Sequence, residues 1–68
     1  MKKTVIFHLY YQGGKNLGNR THRKTYNIFT SKNKIVNDFF DWVDKESFDL
    51  NKKFNEDCVI VNIKVIGL

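Results

Sequence analysis

The sequence predicts a small α+β domain of order β-β-α-β, in which a three-stranded antiparallel sheet of strand order 2-1-3 carries one helix packed on one face. Three observations lead there. Two segments, Thr4 to Tyr11 and Cys58 to Ile66, are rich in β-branched and aromatic residues at strand spacing. One segment, Lys32 to about Lys45, repeats apolar residues at three- and four-residue intervals. The chain has 68 residues, enough for one core and too few for two.

The first segment places Val5, Phe7, Leu9 and Tyr11 on one side and Ile6, His8 and Tyr10 on the other. Apolar residues on both sides suit a central strand. Residues 12–23, QGGKNLGNRTHR, are polar, contain Gly13, Gly14 and Gly18, and offer only Leu17 for burial, so they are expected to form a long basic hairpin loop. Lys24 to Thr30 is the predicted second strand, with Tyr26 and Ile28 against Thr25, Asn27 and Phe29. Thr30 or Ser31 is placed to cap the helix, whose apolar stripe is Ile35, Val36, Phe39, Phe40, Trp42 and Val43. Glu46 to Asp57 reads as a loop with Phe48, Leu50 and Phe54 tucked inward.

The last segment puts Val59, Val61, Ile63 and Val65 on one side. If the first strand runs up, the second runs down, the helix returns, and the third pairs antiparallel with the first. The core is then Val5, Phe7, Leu9, Val59, Val61 and Ile63 under the helix. The far side of the sheet, with Ile6, His8, Tyr10, Phe29, Ile60, Asn62 and Lys64, is left without cover, and such surface marks an interaction site.

Charge is unevenly spread along the chain. Residues 1–34 hold eight of the twelve Lys and Arg and no acid, while residues 35–68 hold all seven acids. A basic half of this kind suits phosphate or an acidic protein surface, and it also suits internal pairing with the acidic half. One cysteine, Cys58, forms no internal disulfide, and no apolar stretch approaches a membrane span or a signal sequence, so a cytoplasmic protein with no membrane partner is expected. The chain contains neither Pro nor Ala and is rich in Lys, Asn, Ile and Phe, a composition of AT-rich coding that fits a low-GC bacterium or a phage or other mobile element.

Catalytic and metal chemistry find little support. Gly13 and Gly18 have the spacing of a phosphate-binding loop, but Asn19 and Arg20 stand where Lys and Ser or Thr are needed, and no helix is predicted to follow. His8, His22 and Cys58 match no ligand spacing, and no serine lies in a nucleophile motif. No enzymatic activity, metal or cofactor is expected.

The distinctive chemistry lies in the basic segment. Lys15, Arg20, Arg23 and Lys24 supply charge, and Asn16, Asn19 and His22 supply hydrogen bonding. Tyr10, Phe29 and Lys64 are candidate contacts on the sheet face. Asp38, Asp41 and Trp42 are candidate contacts on the helix, where solvent exposure of the acids and burial of Trp42 are the plainer readings. The expected function is that of a small basic binding protein acting on nucleic acid. The alternative is a protein-interaction module, such as a small inhibitor or regulator that binds a larger enzyme. A homodimer formed through the third strand or the open sheet face is a further expectation.

Overall fold

In the computed structural model, which describes residues 1–68, the chain runs β1 (Lys2–Gly13), β2 (Asn16–Asn27), α1 (Lys32–Lys53) and β3 (Cys58–Ile66). The sheet order is β2-β1-β3 and both pairings are antiparallel. Fold class, strand order and the single helix are those the sequence predicts. Alternation along β1 sends Val5, Phe7 and Leu9 under α1, where Ile35 and Phe39 pack against Val5 and Phe7, and all five are buried together with Leu50 further along the helix. Tyr26 from β2 closes this core at one side, and Trp42, Val43, Ile63 and Val65 pack around it half-buried.

The long loop expected at residues 12–23 is absent. The hairpin register is continuous from Lys2↔Asn27 to Gly13↔Asn16, leaving Gly14 and Lys15 as a two-residue turn. Gly14 has φ +60°, the sign that a tight hairpin needs at its first central position. The other two glycines are strand residues that let aromatic rings close in. A Cβ on Gly13 would lie 2.7 Å from the Phe54 ring, and one on Gly18 would lie 2.5 Å from the ring of Tyr11, its cross-strand neighbour. Three glycines in a polar segment thus signify one turn and two close approaches.

The second strand begins eight residues before Lys24 and ends at Asn27 rather than Thr30. The Asn27 side chain accepts a hydrogen bond from the Phe29 amide, its carbonyl accepts one from Thr30, and Ser31 caps the helix by accepting from the Lys34 amide. Phe29, expected on the sheet face, therefore sits in this turn and is 87% exposed.

The helix runs on past Lys45 to Lys53. No Gly or Pro interrupts it, and Leu50 extends its inner face. Asn55 and Glu56 adopt positive φ at its end, and the Glu56 amide donates to the Asn51 carbonyl, a Schellman closure.

In β3 the register slips between Tyr10↔Asn62 and Tyr11↔Ile60, so Val61 is an extra, bulged residue. The bulge reverses the faces of the first half of the strand. Ile60 turns to the helix side, whereas Val59 and Val61, expected in the core, are 62% and 54% exposed.

Candidate nucleic-acid interface

Extension of β2 back to Asn16 divides the predicted basic cluster between the two faces of the sheet. Partners in an antiparallel pair share a face, so Arg20, His22 and Lys24, opposite the buried Leu9, Phe7 and Val5, lie on the helix side. Asn19 and Arg23, opposite Tyr10 and Ile6, lie on the open side. Lys15 and Asn16 remain exposed at the hairpin tip.

On the helix side the basic residues are already partnered. Arg20 donates to Asp49 at 2.8 Å and to Glu46 at 2.5 Å, and these two carboxylates favour its charged form even above the ordinary arginine value. Asp38 accepts from the Tyr26 hydroxyl at 2.8 Å, Lys34 at 3.0 Å and Lys24 at 3.3 Å. Those bonds, Tyr26's foremost, draw its carboxyl down to about 2, while burial and then the neighbouring carboxylate push the Tyr26 phenol up to about 12. His22 lies against Trp42, with ring centroids 6.2 Å apart, and Trp42 in turn packs on Phe7 and Phe39. Arg20, Lys24, Asp38 and Trp42 thus tie β2 to α1, while Asp41 stays exposed on the outer side of the helix.

The open side has a different chemistry. Its cross-strand rows run Thr21–His8–Lys64, Asn19–Tyr10–Asn62 and Arg23–Ile6–Ile66 across β2, β1 and β3. The rings of His8 and Tyr10 stack 7° from parallel with centroids 6.2 Å apart, and Tyr10 is 38% exposed. Thr21 Oγ1 lies 3.3 Å from His8 Nδ1 and fixes the edge of the imidazole. Neither Arg23 nor Lys64 has a carboxylate partner. Five of the seven acids belong to α1 and the other two, Glu56 and Asp57, lie at the hairpin-tip end of β3, so these three rows present cations, amides and rings beside Ile6 and Ile66, with no carboxylate among them.

Tyr10 and Lys64 were legible in the sequence as face residues. The His8 ring as half of a stack, and the alignment of Asn19, Thr21 and Arg23 beside it, were not. The signal for the latter was an alternation hidden in polar residues: Asn19, Thr21, Arg23 and Thr25 on one side, Arg20, His22, Lys24 and Tyr26 on the other.

No three His, Cys, Asp or Glu side chains gather into a ligating group, and no helix is long and apolar enough to cross a membrane. Comparison with known proteins finds no matching family model, no matching curated protein and no matching solved structure. The fold and surface define an open-faced α+β layer, with ion-paired charges on its helical side and the unpaired Arg23 and Lys64 on its bare side.

Proposed function

We infer that the chain is a non-enzymatic binding protein for single-stranded nucleic acid and that the open sheet face, not a flexible hairpin loop, is where the strand lies. The observation that carries this reading is the parallel His8–Tyr10 pair in carboxylate-free rows of the sheet flanked by Arg23 and Lys64. Exposed rings offer bases a stacking surface, each worth about 1–3 kcal/mol per base. Arg23 and Lys64 stand to either side, where a phosphate backbone crossing the strands would pass, and Asn19 and Asn62 offer amides to base edges. Lys15 and Asn16 at the tip extend the cationic path.

A protein-interaction module for an acidic partner uses the same cations but has no need of the ring pair, so Tyr10 separates the two readings. Fluorescence anisotropy with labelled single-stranded DNA and RNA, titrated over salt, is the test. Tyr10→Ala should weaken binding about five-fold or more, from the stacking energy above. Arg23→Ala and Lys64→Ala should each flatten the log-log salt slope by about 0.7, the single-strand value per phosphate contact. Absence of binding at low ionic strength, or binding indifferent to all three changes, would reject the proposal.

A further inference from the structure

The two edges of the sheet differ, and β3 is the apolar one, interrupted only by the bulge at Val61. Along Cys58–Ile66 the only charge is Lys64, and Pro is absent. Edge strands of this composition present unpaired backbone groups to another strand. Beside it lies a groove of about 450 Å³ between α1 and β3, lined by Phe40, Val43, Ile60, Val61, Asn62 and Ile63. Phe40 is 50% exposed there, and Val61 is 54% exposed.

We propose that β3 pairs antiparallel with β3 of a second copy, joining two sheets into one of six strands. Two features select a second copy as the occupant. The first is the position of α1, which lies over β1 and β3 and reaches β2 only through long side chains. With strands about 4.8 Å apart, a two-fold axis perpendicular to the sheet at the β3 edge keeps both helices on one face and sets the two α1 axes about 10 Å apart, close to ordinary helix packing at about 8–10 Å. Phe40 and Val43 of both copies then fill the space that is a groove in the single chain.

The second feature is register. Centring the pair on Ile63 sets Ile63 against Ile63 of the second copy and Val61 against Val65. The same register sets Lys64 against Asn62, which avoids the repulsion of Lys64 facing its own copy. Lys64 of the second copy thereby joins the Asn62–Tyr10–Asn19 row on the open face. The dimer does not depend on nucleic-acid binding, and its test contains none.

Sedimentation equilibrium of the full chain from micromolar to about millimolar concentration should show the mass rising from 8.1 kDa to twice that value. Val61→Lys and Phe40→Asp should each raise the dissociation constant at least ten-fold, while Ile6→Lys on the open face should leave it unchanged. Hydrogen exchange of the unmodified chain gives a readout independent of variant folding: the amides of Val61–Val65 that point away from β1 should gain protection as concentration rises. A mass of 8.1 kDa throughout, a dimer sensitive to Ile6→Lys alone, or amides with concentration-independent exchange would overturn the proposal.

Discussion

The edge strands β2 and β3 flank the same central strand yet are held by opposite means. Four hydrogen bonds from three side chains anchor β2 to α1: Arg20 on Glu46 and Asp49, and Lys24 with Tyr26 on Asp38. For β3 the anchors are Ile63 and Val65, packed against the core with no ion pair. A charged edge is soluble and refuses other strands, whereas an apolar edge is secured on one side and adhesive on the other. The basic segment that looks like a ligand site in sequence therefore spends half its charge on internal tethering, and the surfaces left without partners are the bare face and the bare edge.

Truncating the apolar anchor should have the larger effect on stability. Ile63→Ala removes a half-buried side chain beside Leu9 and should cost about 2 kcal/mol, the low end for such changes, as read from urea unfolding. A cost no greater than that of removing one ion pair would mean that β3 is held by its backbone ladder alone.

This division was partly visible beforehand. Strand order followed from the apolar periods of Thr4–Tyr11 and Cys58–Ile66 and from the helix between them, because buried residues announce their spacing. Strand β2 stayed hidden because neither of its faces is apolar: one meets carboxylates and the other meets solvent, so its alternation is of polar residues with polar residues. The helix beyond Lys45 was hidden for the same reason, since Glu46 and Asp49 face Arg20 where an apolar stripe would have signalled a packed face. The bulge at Val61 lay in a run of β-branched residues that fits either register, so only the pairing with β1 reveals which side Val59 takes. Charge complementarity between the two halves of the sequence was the legible trace of the β2–α1 tethers.

The Tyr26–Asp38 bond gives the polar anchor a pH signature. With the Asp38 carboxyl lowered from 3.8 to about 2, its contribution is complete above pH 4 and fades as pH falls toward 2. With the Tyr26 phenol raised from 10.0 to about 12, its contribution is complete below pH 10 and fades as pH rises toward 12. Tyr26→Phe deletes the hydroxyl and should cost about 1 kcal/mol at neutral pH, the usual net worth of one hydrogen bond. It should also move the acid limb of the stability profile upward, though not fully to the ordinary carboxylate value, because Lys34 and Lys24 still hold Asp38. The alkaline loss assigned to this phenol should vanish. Thermal unfolding of both proteins between pH 2 and 11 checks each limb, and unchanged limbs would place the pH sensitivity elsewhere.

The most salt-dependent effect belongs to Arg20, whose two ion pairs are partly open to water. Asp49 is the more exposed of its partners, and surface pairs are worth about 0.2–1 kcal/mol each, so Arg20→Ala should cost about 1 kcal/mol at low salt. Because screening reaches these pairs, the difference from the unmodified chain should shrink in 1 M sodium chloride, where the Debye length is about 3 Å. The Ile63→Ala difference should not shrink, since burial of a hydrocarbon carries no charge to screen. Denaturation by urea, itself uncharged, at both salt concentrations separates the two anchors in one experiment. A salt-independent cost at Arg20 would mean that its aliphatic stem packed across β2, rather than its charge, secures that edge.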